Sequence, residues 1–211
     1  VKDVLAYMRL LMNPKDDEAF RRVVNVPARG IGGTTLGNLA AAAGAASLSL
    51  WEAFHRGDLD AMGIKAPAAA RISQFTSLIS EVGSHAQEAT AYNITMEILM
   101  RSGYMEYLRS DTSTEGQARL ENVEELFNSI KEMEEEMNGG EILEQNSDAP
   151  QEKVLNLEEF LENISLMSAI DEGSDSKEDN NKVNLMTVHS AKGLEFPYVF
   201  LPGWEEEIFP S

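Results

Sequence analysis

The 211-residue chain contains no cysteine, few basic residues and no long hydrophobic run. Without cysteine it can form neither disulfide bonds nor a thiolate metal site, and this absence fits a reducing, cytoplasmic location. The most apolar stretch, residues 36–51, is interrupted by polar side chains and is too short to span a bilayer. We therefore expect a cytoplasmic protein with no membrane partner.

Positive charge is scarce and unevenly distributed. The 17 Lys and Arg residues against 36 Asp and Glu residues give a net charge of −19, the opposite of a typical nucleic-acid-binding chain. The acidic residues are concentrated in residues 132–136, 141–152 and 171–179, where solvated helix faces and loops account for them. Residues 1–29, in contrast, carry a small local excess of basic side chains.

The sequence motifs of the common catalytic and metal sites are also missing. No Gly-x-x-x-x-Gly-Lys-Ser/Thr loop occurs, so the chain has no loop that cradles the phosphates of ATP beside a magnesium ion. His55, His85 and His189 are too scattered for a metal site, and no Gly-x-Ser-x-Gly element is present. The chain alone is therefore expected to bind no cofactor or metal and to lack a complete catalytic site.

The chain does have a succession of amphipathic helices. Apolar residues recur every three or four positions through residues 1–12, 65–85, 92–100, 115–137 and 155–170, which places them on one face of each helix. The helical pattern begins at once and without an initiator Met, so we expect an internal piece of a longer protein.

Shorter helices are predicted between these long ones. A helix around Phe20 has N-terminal acceptors in Asp16 and Asp17, the next has Thr34 as its N-cap, and another covers residues 48–54. Loops are predicted where glycine, proline and charge replace the apolar pattern, notably at residues 141–153, after the long helix that ends near residue 137. No internal repeat is found.

The composition changes at residue 183. Residues 183–188 and 198–201 are short runs of β-branched and aromatic side chains, a pattern typical of strands. Two strands are too few for a stable sheet, so they are expected to need partners outside the chain. The prediction is therefore a helical domain over residues 1–182 and a partial α/β domain over residues 183–211.

The most specific motif lies in this second part. Residues 183–201 read VNLMTVHSAKGLEFPYVFL, which closely resembles motif V of superfamily 1 DNA helicases of the UvrD/Rep type. Residues 1–13 and 21–32 (RRVVNVPARGIG) resemble the opening of the helical insert, or domain 2B, of the same family. Residues 119–126 (RLENVEEL) and 157–161 (LEEFL) also match, in the family's order, so the resemblance covers essentially the whole chain.

The resemblance implies a mainly α fold, in which a helical insert domain with a helix-hairpin-helix-like loop is attached to a small α/β fragment of a RecA-like P-loop helicase domain. It implies that the longer protein is an ATP-dependent 3′-to-5′ DNA helicase or translocase, using ATP and Mg²⁺, in repair or replication. The implied partners are single-stranded DNA and duplex junctions, with repair or replication proteins as further partners. The insert would bind duplex DNA and regulate the motor.

Within motif V the resemblance assigns residues to two ligands. Thr187 and His189 would contact the backbone of single-stranded DNA. Gly193 and Glu195 would lie near the nucleotide, with Glu195 accepting a hydrogen bond from the ribose hydroxyl. A strand that ends in polar residues at the rim of an α/β sheet is a place where such domains bind ligands.

A second candidate site is the glycine-rich loop before the third predicted helix. Glycines let the backbone approach a phosphate closely, and the amides of a first helical turn point at an anion. By the resemblance to a helix-hairpin-helix element, the loop would hold the duplex backbone without reading bases. The candidate duplex contacts are Arg29, Gly30, Gly32, Thr34 and Thr35. The other interpretation is a glycine turn that only changes the chain direction.

Two other functions remain open. The longer protein could be a recombination helicase-nuclease subunit of the AddA or RecB kind, with its nuclease outside this chain. Alternatively, the net charge of −19 and the acidic helices suit a protein-interaction or regulatory module better than a phosphate-binding surface. A longer C-terminal sequence would identify the recombination subunit. Salt-dependent DNA binding distinguishes a DNA-binding helicase insert from the interaction module, because phosphate contacts release counterions.

Overall fold

The computed structural model describes residues 1–139, 154–173, 196 and 198–200, and it describes side chains for residues 1–137, 154–166, 196 and 198–200. The chain divides into two compact units, Val1–Ala169 and Ile170–Ser211. Nearly all of the described residues lie in the first unit.

The described part of the chain is helical, and it contains no strand. None of the described helices is both long and apolar enough to cross a bilayer. The helices are α1 (Lys2–Met12), α2 (Asp17–Val23), α3 (Gly33–Ala46), α4 (Leu50–Arg56), α5 (Ala66–Gly83), α6 (Ala91–Arg101), α7 (Tyr104–Ser110), α8 (Thr114–Gly139) and α9 (Leu157–Gly173).

Helix α1 forms the centre of the first unit. It packs against α2, α5 and α6, and its buried side chains lie on more than one of its faces. The ring of Phe75 on α5 lies 6.4 Å from the ring of Tyr7 and 5.7 Å from that of Phe20, measured between centroids. Because aromatic rings bury large apolar areas, this three-ring contact joins α1, α2 and α5 into one core.

The remaining helices extend this core on two sides. Helix α4 packs against α2 and α3, while α6 packs against α5, α7 and α8. The segment before α9 is tied to α6, because the Ala91 amide donates to the Leu155 carbonyl at 2.7 Å. Leu157 and Phe160 of α9 are buried beside it. The loops that lead into α3 and α5 are therefore attached to a well-packed helical body.

Most of the predicted helices are confirmed, and so is one predicted cap. The Ala19 amide donates to Asp16 at 2.9 Å, so Asp16 caps α2. Asp17, in contrast, accepts from the Leu50 amide at 2.7 Å and so braces the start of α4. The prediction that Thr34 caps the third helix is wrong, because Gly32 is the N-cap of α3 and Thr34 lies in its first turn.

Two further differences concern helix α7 and the predicted strands. Helix α7 was not predicted, because its seven residues are too few for a periodic pattern to stand out. Residues 198–200 form no strand, and a strand without neighbours cannot complete its hydrogen bonds. The predicted strand at 183–188 and the predicted loop at 141–153 lie outside the described residues.

Glu52 at the start of α4 makes a pH-dependent contribution to stability. Lys15 pairs with its carboxylate at 2.9 Å, and the backbone and side chain of Ser49 also donate to it. The hydrogen bond from Lys15, followed by those from Ser49, lowers the pKa of Glu52 from 4.5 to about 2. Because the folded state holds this carboxylate ionised, its contribution is present above pH 4.5 and is lost as the pH falls toward about 2.

We therefore expect Glu52→Gln to lower the urea midpoint of unfolding at neutral pH. The difference from the parent chain should shrink as the pH falls through this window and vanish at its acid end. Exposed Glu88 has no ion pair with a described residue, so Glu88→Gln is the matched control and should leave the pH profile unchanged. A midpoint difference for Glu52→Gln that is constant with pH would contradict the proposed cause.

Candidate nucleic-acid interface

The glycine loop connects the end of α2 to the start of α3. Gly30 has a φ of +71°, a backbone conformation that favours glycine. Gly32 has a φ of −76° and a ψ of 158°, which is the ordinary conformation of an N-cap residue, and a Cβ added there would meet no atom within 4 Å. The positive φ therefore explains the glycine at position 30. At position 32, neither the backbone conformation nor the surrounding space requires a glycine.

Arg29 points into the helical body. Its Nη1 atom donates to the carbonyls of Val23 and Val24 at 2.9 and 3.2 Å, and to that of Pro27. Its Nη2 atom donates to the Tyr7 hydroxyl at 2.8 Å and to the Ser102 carbonyl at 3.2 Å. These hydrogen bonds join α1, the end of α2 and the end of α6, so the guanidinium holds the base of the loop in place.

Two residues that sequence reasoning missed hold the rest of the loop. The Asn25 Oδ1 atom accepts from the Arg29 amide at 2.8 Å and from the Ile31 amide at 3.1 Å. The Arg71 Nη1 atom of α5 donates to the Gly30 carbonyl at 2.9 Å. An asparagine just after a short helix was a signal for Asn25, since this side chain often bonds nearby backbone in turns. No local signal pointed to Arg71, which is distant in sequence.

The start of α3 has free backbone donors. No side chain caps it, and its first turn contains no acidic residue. The first N–H groups of a helix have no partner within the helix, and the helix dipole adds partial positive charge there. Thr34 and Thr35 belong to this turn, so two of the predicted duplex contacts lie at an uncapped helix N-terminus.

The start of α5 resembles that of α3 but offers fewer backbone donors, because Pro67 has no N–H and the Ala68 amide donates to the Lys65 carbonyl at 2.9 Å. Its N-cap is Lys65, again with no side-chain cap and no acidic residue in the first turn. Gly63 has a φ of +70°, and it precedes Ala66, the first residue of α5, by the same three positions that separate Gly30 from Gly33. Each of the two helix starts thus follows a Gly-Ile pair whose glycine has a positive φ.

The two helix starts face one cleft, which we call the amide cleft. It has a volume of about 330 Å³, and the first turn of α5 forms part of its wall. Its other lining residues include Thr34, Thr35, Asn38, Gly63, Lys65 and Arg71. The cleft therefore combines the free amide groups at the start of α3 with two basic side chains, Lys65 and Arg71. This is an arrangement suited to a phosphate group.

The amide cleft brings together only part of the predicted site. Thr34 and Thr35 line it, and Gly32 is the N-cap of the helix that borders it. Gly30 shapes the loop, whereas Arg29 is engaged within the fold. The motif V candidates Thr187, His189, Gly193 and Glu195 lie outside the described residues.

Comparison with known proteins identifies the family to which this helical chain belongs. The whole chain, residues 1–211, matches the family described as the UvrD-like helicase C-terminal domain. The chain belongs to this family.

Its relatives are ATP-dependent DNA helicases. The chain is 37% identical over 213 residues to the ATP-dependent DNA helicase PcrA of Bacillus subtilis strain 168, covering all of this chain and 26% of that protein. It is 34% identical over 210 residues to PcrA of Staphylococcus aureus strain Mu50, again covering all of the chain and 26% of the relative. The chain thus spans about a quarter of the length of these relatives.

Proposed function

We propose that this chain is the duplex-binding and regulatory part of an ATP-dependent DNA helicase that moves 3′ to 5′ on single-stranded DNA. The observation that carries the proposal is the amide cleft, where the free amides at the start of α3 lie beside Lys65 and Arg71. In an otherwise acidic chain, this combination selects for a phosphate group. Its partner would be the backbone of duplex DNA at a junction with a single strand, without base recognition.

The rest of the helicase activity would require segments that this chain does not contain. No phosphate-binding Walker loop occurs in the sequence, so we propose that other segments of the longer protein bind the phosphates of ATP and the Mg²⁺ ion, and that this chain alone is inactive. In the longer protein, Thr187 and His189 would contact the single strand, and Gly193 and Glu195 the nucleotide. The domain division at residues 182 and 183, a cytoplasmic location and repair or replication partners belong to the same proposal.

Binding of the 211-residue chain to a labelled duplex junction tests this proposal. We expect binding that weakens with salt, because each phosphate neutralised contributes about −0.9 to the slope of log K against log salt concentration. Lys65→Gln should reduce the magnitude of that slope by roughly 0.9. Between about 50 and 200 mM salt, the variant should therefore lose about 3.5-fold less affinity than the parent chain does.

Lys2→Gln is the matched control for this experiment. Lys2 is exposed on α1 and does not line the amide cleft, so the substitution removes the same charge at a distant place. It should leave the salt slope unchanged. Equal slopes for Lys65→Gln and Lys2→Gln would show that binding, if present, does not use the amide cleft.

A protein-interaction module is the second candidate, and one observation favours it. Helix α8 exposes many carboxylates along its length. They include Glu121, Glu124, Glu125, Glu132, Glu135 and Glu136. Such a surface suits a basic partner better than DNA. If the chain shows no salt-sensitive duplex binding at low salt, this candidate would be favoured over a duplex-binding function.

A further inference from the structure

A second cleft lies directly beside the amide cleft. It has a volume of about 600 Å³ and is lined by three arginines, Arg29, Arg71 and Arg101, together with Gln74 and Ser102 among others. We call it the arginine cleft. Arg71 lines both clefts, so they are neighbours on the same surface. A chain of phosphates that occupied the first cleft would therefore have the second within reach.

The charges of two of these arginines are not compensated. The partners of Arg29 are carbonyl groups and a phenol, which carry no charge, and Arg71 donates to the Gly30 carbonyl. Neither guanidinium has a carboxylate within 4.0 Å among the described residues. A concave surface that holds uncompensated positive charge concentrates anions from solution.

The third arginine contributes less charge. Arg101 pairs with Glu81 at 2.7 Å and with Glu97 at 2.9 Å, so most of its charge is neutralised. The local net charge is +1, from three guanidinium groups and two carboxylates, in a chain whose net charge is −19. The attraction for an anion therefore comes from Arg29 and Arg71.

The donors that remain free suit a phosphate oxygen. The Nη atoms of Arg29 are occupied, which leaves its Nε–H without a partner among the described residues. Arg71 is exposed and uses only Nη1, so most of its donor groups remain available. Arginine donors recognise phosphate with charge-assisted hydrogen bonds.

We infer that the arginine cleft binds a phosphate group, and that in the DNA complex this is a backbone phosphate next to the one in the amide cleft. The inference rests on the proposed function for the source of the phosphate, because Arg71 is shared by the two clefts. Free phosphate or the phosphates of a nucleotide would present the same chemistry. The test therefore includes both sources.

Gln74→Glu is the substitution that addresses the arginine cleft alone, because Gln74 lines it and does not line the amide cleft. A carboxylate about 4 Å from a phosphate costs about a factor of five in affinity, even with the dielectric constant of water. We expect Gln74→Glu to weaken binding of the duplex junction about fivefold at low salt. Gln117→Glu makes the same change on the exposed surface of α8 and should have no effect.

Arg71→Gln tests the residue shared by both clefts. It should reduce the salt slope of duplex binding by about 0.9 or more, whereas Arg109→Gln, an exposed arginine of α7, should not change it. The second readout is the Nε–H resonance of Arg29, followed by NMR as inorganic phosphate or ATP is added to the chain. A change in its chemical shift in the parent chain, with no change in Gln74→Glu, would support a phosphate site in this cleft.

The outcomes separate the two proposals. Suppose that Lys65→Gln weakens duplex binding, while Gln74→Glu and Gln117→Glu have the same duplex affinity and the same Arg29 response to phosphate. The proposed phosphate site in the amide cleft is then supported, and the one in the arginine cleft is rejected. If the chain binds no duplex but the Arg29 resonance responds to phosphate or ATP, the arginine cleft binds phosphate from a free ligand. The proposal that the chain binds duplex DNA is then rejected. If neither duplex nor phosphate distinguishes Gln74→Glu from its control, the inference is overturned.

Discussion

Replacing Arg29 with alanine should destabilise the first unit by about 3 kcal/mol, because several buried or half-buried acceptors would lose their donor together. The carbonyls of Val23, Val24 and Ser102 and the hydroxyl of Tyr7 all accept from this one guanidinium. Phe75 would also lose the cation that lies 5.0 Å from its ring centroid. Urea unfolding monitored by circular dichroism measures the change.

The control for this substitution is Arg21→Ala. Arg21 is exposed on α2 and makes no ion pair or side-chain hydrogen bond with a described residue, so its removal should change stability by less than about 0.5 kcal/mol. An Arg29→Ala chain that unfolds at the same urea concentration as the parent would contradict this prediction, because the guanidinium would then not hold the base of the loop in place.

Periodicity in the sequence was sufficient to predict most of the helices. In α5 and α6 the apolar residues repeat over several turns, and a repeated pattern indicates a helix whatever its tertiary neighbours. Helix α7 has fewer than two full turns of such residues, so it could not be recognised. Residues 198–200 carry strand-type side chains, but a strand exists only with a partner that the sequence pattern does not supply.

The candidate site could be predicted only in part, for a related reason. Glycine beside a helix start is a local signal, and it correctly marked the loop before α3. The direction of a long side chain is not local, however, because Arg29 is oriented by Tyr7 and Ser102 from other helices. Similarly, Lys65 and Arg71 reach the same cleft as Thr34 only because α3 and α5 begin side by side.

Replacing Gly32 with aspartate should change stability and DNA binding in opposite directions. The N-cap geometry at this position already suits an aspartate, and no atom obstructs its Cβ. Its carboxylate would accept from the first-turn amides of α3, stabilising the fold by about 0.5–1 kcal/mol. The same carboxylate would occupy and repel the phosphate position, so duplex affinity should fall by about tenfold or more. Thermal unfolding and a fluorescence binding titration measure the two effects.

Gly32→Asn separates the charge from the cap. Asparagine caps a helix about as well as aspartate but carries no charge. We expect this variant to be as stable as Gly32→Asp. Its affinity for duplex should lie between those of the aspartate variant and the parent chain. If Gly32→Asp binds duplex as tightly as the parent chain does, phosphate does not approach the start of α3.

The most direct test of the amide cleft is an NMR titration of the ¹⁵N-labelled chain with a duplex junction at low salt. We predict that the largest amide shifts fall on the first turn of α3, at Thr34 and Thr35, and that salt reverses them. Shifts confined to other surfaces, such as the carboxylate-bearing face of α8, would contradict it. Duplex DNA would then not be held by the start of α3.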